Sequence, residues 1–180
     1  SSDLSTVWNH QWRAHGSQPG YGVKQSSQFL ISKSTDDGLT WSEPRNITRQ
    51  VKKEKWWLLA PGPGRGITME DGTLVFPVEG RNEDGLQFST IMWSKDKGEN
   101  WTVGEPAYYN TNECQVVELS DHSLMLNMRE RSNRGRQEGN GRAIAVTADL
   151  GKTWTEHPTS RRALIEPACQ ASLLRHDYIE

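Results

Sequence analysis

The residues of this sequence fall into short strand-like runs, each followed by a polar turn. The clearest runs span residues 28–32, 88–93 and 143–147. Short runs of this kind are typical of β-strands, and helical periodicity sustained over three turns occurs nowhere in the sequence. The pattern therefore predicts an all-β protein with little helix.

Each of these runs leads into one recurring motif, [S/T]-x-D-x-G-x-[T/N]-W, which starts at Ser34, Ser94 and Thr147. The aspartate can accept hydrogen bonds from later backbone N–H groups, glycine permits positive φ, and tryptophan can pack under the turn. Because a repeated element is poor evidence for a unique site, we interpret its aspartates as structural. They are Asp36, Asp96 and Asp149.

A second repeat, a strand–turn–strand hairpin, lies between the motifs. Residues 66–78 align with residues 115–128, and residues 170–179 begin a third copy. Each unit then holds four antiparallel strands in about 50 to 60 residues, which is typical of a β-propeller blade. The blades are predicted at residues 1–49, with an incomplete early strand at 6–12, and at 50–110, 111–160 and, as a beginning only, 161–180. An unfinished last blade leads us to expect an internal piece of a larger propeller.

The hairpin centred on Asp121 brings two charged residues together. With Asp121 on its midline, strands 115–119 and 123–128 place Glu113 opposite Arg129, on the same face because their separation is even. A carboxylate and a guanidinium held together at a strand end form either a local ion pair or part of a polar site.

The meander topology predicts that the motifs lie at one rim of the sheets and Glu113 and Arg129 at the other. The connections 79–87 and 130–142 are predicted to be longer loops at this second rim. Long loops on a rigid scaffold often carry functional sites. The second rim is therefore the predicted functional one.

Composition narrows the function classes. The net charge of −2 gives no sign of nucleic-acid or anionic-membrane binding, and no apolar run reaches the length of a membrane span. The five histidines show no paired ligand spacing, so we expect no metal site. Cys114 and Cys169 lie in similar apolar contexts and are predicted to be buried free thiols.

The three motifs resemble the Asp-boxes of sialidases, and their spacing resembles that of a six-bladed sialidase propeller, of which this chain would supply about three blades. The segments WLLAPGPG (57–64), NECQVVE (112–118), LNMR (126–129) and EPACQ (166–170) resemble the successive inner-strand motifs of that family. The likeness covers essentially the whole chain.

This resemblance implies an exo-α-sialidase, which removes terminal sialic acids from glycoconjugates with retention and without a cofactor. In the family, three arginines clamp the sialic-acid carboxylate, a glutamate activates a tyrosine nucleophile, and an aspartate is the acid/base. By this resemblance Glu113 is the partner of the tyrosine and Arg129 the second clamp arginine. The family also implies sialylated glycans as partners, together with the remainder of the propeller, and a secreted or periplasmic location.

The sequence departs from the family pattern in lacking the Arg-Ile-Pro motif and the acid/base aspartate that follows it. Two of the six core catalytic residues are therefore expected here, and the chain alone is expected to be inactive. Tyr108, Tyr109 and Tyr178 are poor candidates for the nucleophile. The weaker candidates for substrate contacts are Arg65, Glu79, Arg81 and Gln115.

Several alternatives stay open. The arginines at 131, 134, 136 and 142 could steer an anionic sugar, but we interpret them as a solvated loop. The protein could instead be another Asp-box propeller glycosidase, an intramolecular trans-sialidase, or a non-catalytic propeller that binds carbohydrate or protein. The chain could also be scaffold only, with Glu113 and Arg129 as a local ion pair.

Overall fold

A computed structural model of the chain describes residues 18–23, 25–130, 132 and 140–176. Within these ranges the backbone forms three antiparallel sheets and one single-turn helix, which agrees with the predicted all-β class. The strand predicted at residues 6–12 lies outside the described residues. No helix in the described ranges is long and apolar enough to cross a membrane.

The first sheet is a short pair, β1 (Leu30–Ile31) with β2 (Arg45–Asn46), followed by helix α1 (Thr48–Val51). The helix packs Val51 into a cluster with Phe29 and Trp56, residues that are almost completely buried. Burial of these apolar side chains joins the first sheet to the second.

The second sheet contains six strands, arranged as a four-stranded meander in which each edge strand is interrupted. They are β3 (Leu58–Pro61), β4 (Ile67–Thr68), β5 (Leu74–Arg81), β6 (Gln87–Ser94), β7 (Thr102–Val103) and β8 (Tyr108–Tyr109). Strands β3 and β4 both pair with β5, and β7 and β8 both pair with β6. The break between β3 and β4 contains Gly62, where an added Cβ would lie 2.8 Å from the Cys114 carbonyl oxygen. Glycine is thus required where this edge approaches the third sheet.

The third sheet has its four strands in sequence order. They are β9 (Thr111–Glu118), β10 (Leu124–Glu130), β11 (Ala143–Thr147) and β12 (Thr155–Glu156). Cores lie between successive sheets, with Val78 and Phe88 facing the first sheet and Val75 and Ile91 facing the third. Strand β5 is therefore covered on both faces.

The β9–β10 hairpin follows the predicted register only in part. Its pairs run from Leu124 opposite Glu118 to Met128 opposite Cys114, as expected for a midline at Asp121. A β-bulge then shifts the register, so that Arg129 lies opposite Asn112 and not opposite Glu113. Glu113 is the extra residue of the bulge, which corrects the predicted pairing.

The predicted loop at 79–87 is wrong, because residues up to 81 belong to β5 and residue 87 begins β6. The connection consists of residues 82–86, closed by hydrogen bonds between Asn82 and Leu86. Most of the connection predicted at 130–142 lies outside the described residues.

In each Asp-box the aspartate carboxylate accepts hydrogen bonds from its own turn. Asp96 accepts from the backbone N–H and the side-chain amide of Asn100 at 2.8 and 2.7 Å, and from the Ser94 hydroxyl at 2.7 Å. These bonds, led by the Asn100 backbone N–H, lower the pKa of Asp96 to about 2. Asp36 and Asp149 accept the equivalent bonds in their boxes. Each carboxylate is thus occupied within its own turn.

The boxes also join neighbouring sheets. The Arg45 guanidinium donates to the Gly98 carbonyl of the second box. The Trp154 indole N–H of the third box donates to the Glu105 carbonyl at 2.9 Å, and the Glu105 N–H donates to the Gly151 carbonyl at 2.8 Å. The box rim, the end of the sheets that carries the three boxes, is therefore a continuous hydrogen-bonded edge.

Candidate active site

Glu113 and Arg129 form an ion pair at the end of the hairpin remote from its turn. Arg129 Nη1 donates to Glu113 Oε2 at 2.6 Å, and the two side chains are 29% (Glu113) and 23% (Arg129) exposed. The structure therefore brings together the two residues that the sequence predicted to meet, through a bulge and not through direct pairing. Partial burial strengthens their interaction while both groups stay in contact with solvent.

Glu79 approaches this pair from the neighbouring sheet. Its Oε2 accepts the backbone N–H of Glu113 at 2.8 Å. Burial raises the pKa of Glu79, and the Arg129 guanidinium opposes this shift only in part. The site thus contains two carboxylates from different sheets, at Glu79 and Glu113.

Arg142 is buried, which corrects its interpretation as part of a solvated loop. Its Nη1 donates to Glu166 Oε2 and to the Cys169 carbonyl, each at 3.0 Å, and both side chains of the ion pair are at most 3% exposed. Its Nε donates to the Asn127 side-chain oxygen, and its Nη2 to the Glu113 carbonyl at 3.4 Å. Arg142 therefore ties the hairpin to the segment that follows β12. The other arginines of the predicted cluster, at 131, 134 and 136, lie outside the described residues.

A groove of about 840 Å³ is lined by residues of all three sheets. Glu79, Glu113 and the exposed Arg65 contribute to its lining, together with Lys97 and Trp101 of the second box. Arg65 lies in the interruption between β3 and β4. The structure therefore places Arg65 and Glu79 on one surface with Glu113.

The two remaining candidates for substrate contacts are oriented differently. Gln115 is 6% exposed, and its amide nitrogen donates to the Pro63 carbonyl, so it supports the 62–66 interruption. Arg81 is partly buried in β5, two residues beyond Glu79, and its Nε has no hydrogen-bond partner among the described residues. Contact of either side chain with substrate stays a prediction.

At the box rim, Glu70, Glu118 and His122 place their ligand atoms within 4.8 Å of one another. The histidine Nδ1 is 3.3 Å from a carboxylate oxygen of each glutamate. Glu70 and His122 are exposed, and exposed groups of this kind are common without an ion, so we assign no metal to them.

The two thiols differ in burial, so only one of them agrees with the prediction. Cys114 is buried between the second and third sheets as predicted, and burial raises its pKa. Cys169 is exposed and lies in a stretch, 166–176, in which the described residues form no strand. The prediction of a buried thiol is therefore wrong for Cys169.

Sequence reasoning missed the contacts that hold Glu113 in place. The sequence suggests Glu79 only as a substrate contact, and it does not identify Glu166 as the buried partner of Arg142. One signal was available, since Arg142 directly precedes the strand-like run 143–147 and Glu166 belongs to the EPACQ segment. The hydroxyl of Ser89 in β6 donates to the Asn112 carbonyl in β9 at 3.0 Å. No sequence signal indicates this contact, because it depends on how the sheets pack.

Comparison with known proteins places the chain in a family. Residues 5–177 match the family described as BNR repeat-like domain. A sialidase of Bacteroides fragilis is 52% identical over 163 residues, which cover 91% of this chain and 28% of that relative. The chain thus spans less than a third of that protein's length.

Solved structures give the same grouping. The Hadza microbial sialidase Hz136 superposes with a TM-score of 0.80 at 47% identity, over 87% of this chain and 29% of that one. The intramolecular trans-sialidase from Ruminococcus gnavus gives a TM-score of 0.59 at 29% identity, over 73% of this chain and 26% of that one. The all-β, propeller-type fold is confirmed, while the number of blades stays a prediction. The chain belongs to the BNR repeat-like family, and the relatives to which it is similar are sialidases.

Proposed function

We propose that this chain is part of an exo-α-sialidase that hydrolyses terminal sialic acids from glycoconjugates. The observation that carries the proposal is the half-buried Glu113–Arg129 pair, with its 2.6 Å contact, in a chain related to sialidases. Its partners are sialylated glycans and the remainder of the same propeller.

The chemistry assigns a separate task to each residue. The anomeric carbon of a sialic acid carries a carboxylate, which Arg129 binds because a guanidinium can donate two hydrogen bonds to it. That carboxylate would repel an anionic nucleophile, so a neutral tyrosine suits the attack better. Glu113 accepts the proton of this tyrosine, which the rest of the domain supplies, and retention follows from the covalent tyrosyl intermediate.

Arg65, Glu79 and Arg81 provide polar groups near this centre. Arg65 lines the same groove as Glu113 and is placed to meet polar groups of a bound sugar, whereas Glu79 lines it with one carboxylate oxygen bonded to the Glu113 backbone N–H. The side-chain amide of Gln115 donates to the Pro63 carbonyl and so supports the segment that carries Arg65. These are supporting contacts, and the reaction itself depends on Glu113 and Arg129.

The proposal includes that the chain alone is inactive. By the family pattern, two of six core residues are present, and a nucleophile and an acid/base are needed for turnover. Purified residues 1–180 are therefore expected to release no fluorophore from a fluorogenic sialoside, whereas the complete domain does. Turnover by the isolated chain would contradict this part of the proposal.

Arg129 provides a test of substrate binding in the complete domain. Arg129→Ala removes charge-assisted hydrogen bonds to the sialic-acid carboxylate, so KM for the sialoside is expected to rise by about 10- to 100-fold. Arg129→Lys keeps the charge but loses the planar fork, and an intermediate KM is expected. An unchanged KM in Arg129→Ala would exclude the clamp role.

The product distinguishes the alternatives. Free sialic acid identifies a hydrolase, and an internal anhydro sugar identifies an intramolecular trans-sialidase, the activity of the Ruminococcus gnavus relative. Binding of a sialylated glycan with no turnover by the complete domain would identify a non-catalytic propeller.

A further inference from the structure

The β-bulge leaves the peptide group between Asn112 and Glu113 out of the regular hairpin register. Glu113 has no partner residue across β10, because the pairing passes from Cys114 directly to Asn112. Backbone polar groups that leave a ladder need other partners when they are buried. The partners of this peptide group come from the neighbouring sheet.

Both ends of that peptide group are held by side chains of the second sheet. Its N–H donates to Glu79 Oε2 at 2.8 Å, and its carbonyl, that of Asn112, accepts from the Ser89 hydroxyl at 3.0 Å. Glu79 and Ser89 are directly opposite each other on β5 and β6. A trans peptide directs its N–H and C=O to opposite sides, so the two side chains hold it from both sides.

We propose that Glu79 and Ser89 are positioning residues, a clamp that fixes the 112–113 peptide so that the Glu113 carboxylate is aimed at Arg129 and the reacting centre. The proposal rests on the catalytic role of Glu113 proposed above. Neither residue needs to touch the substrate for this role.

The clamp is rigid because its own supports are rigid. Glu79 lies inside β5 and is paired with Ala60 on one side and Ser89 on the other. Ser89 is fully buried. The carbonyl of Glu113 itself accepts a hydrogen bond from Arg142 Nη2 at 3.4 Å, and Arg142 is held in turn by its ion pair with Glu166. Fixed neighbours of this kind keep a functional group in its productive geometry.

The test compares two substitutions of Glu79 in the complete domain. Glu79→Gln keeps an oxygen that can accept the Glu113 N–H, and kcat is expected to stay within about threefold of the wild type. Glu79→Leu removes the acceptor, and kcat is expected to fall by about 10- to 100-fold with KM unchanged, because small misplacements are costly in catalysis. Glu70→Gln, a carboxylate change at the box rim, is the matched control and leaves both constants unchanged.

Ser89→Ala tests the other half of the clamp with almost no change in volume. It is expected to fold and to lower kcat by about fivefold, the effect of one lost hydrogen bond. This variant decides the question if Glu79→Leu does not fold.

The outcomes separate the clamp from other roles. Wild-type kcat in Glu79→Leu, or in Ser89→Ala where Glu79→Leu fails to fold, would overturn the proposal. So would a rise in KM alone in Glu79→Leu, which identifies a substrate contact. Equal losses in Glu79→Gln and Glu79→Leu would show that charge and not the hydrogen bond matters, and would also overturn it. Glu113→Gln is measured in parallel, since full activity there refutes the catalytic role of Glu113 whatever Glu79 does.

Discussion

At the scale of single residues, burial gives chemically equal side chains different roles. Arg65 is exposed on the groove, whereas Arg142 is enclosed with Glu166. The strand-like run after Arg142 is a sequence signal for its burial, but it does not identify the ionic partner, which lies 24 residues later. A buried charge persists when it is paired and hydrogen-bonded, and Arg142 satisfies both conditions.

The two cysteines provide a prediction at this scale. The thiolate is the reactive form, and burial disfavours it at Cys114 by raising its pKa. In native protein treated with iodoacetamide at neutral pH, peptide mass spectrometry is expected to find Cys114 unmodified, and modified only in denaturant. Cys169 is the exposed comparison in the same chain. Alkylation of native Cys114 at the rate of Cys169 would contradict its burial.

At the scale of elements, the Asp-boxes stabilise the turns between strands. The pKa of Asp96 is lowered to about 2 from an ordinary value of 3.8, so its stabilisation is complete above the ordinary value and is lost as pH falls toward about 2. Asp96→Asn is therefore expected to lower the thermal midpoint of the domain at neutral pH, by a margin that shrinks below pH 3.8.

The matched control is Asp37→Asn, which changes an exposed aspartate at a left-handed position that asparagine also tolerates. It is expected to leave the midpoint unchanged. A midpoint difference for Asp96→Asn that grows as the pH falls would contradict the assigned hydrogen bonds.

The hairpin shows how much of the fold and of the candidate site could be predicted. The alternation of side chains along each strand and the turn at Asp121 were enough to predict the register up to the pair of Met128 and Cys114, because both features depend only on neighbouring residues. The bulge at Glu113 was not predictable from them. It is stabilised by Glu79 and Ser89, whose approach depends on the packing of the second sheet against the third.

At the scale of the whole molecule, the two ends of the sheets differ in the groups they carry. The box rim consists of turns that bond within themselves and to the next box. The opposite ends of the central strands carry a site shared between sheets, with Glu79 and Ser89 from the second and Glu113 and Arg129 from the third. This candidate site is assembled across sheets in a chain that spans 28% of the length of the Bacteroides fragilis sialidase.

The central claim is that Glu113 takes part in the reaction of a sialidase, and kcat of Glu113→Gln measures this most directly. The substitution keeps the size of the side chain but removes the base, so kcat of the complete domain on a fluorogenic sialoside is expected to fall by about 10²- to 10⁴-fold. The thermal midpoint should stay near that of the wild type, because the amide oxygen can still accept from Arg129. A folded Glu113→Gln domain with wild-type kcat would contradict the account.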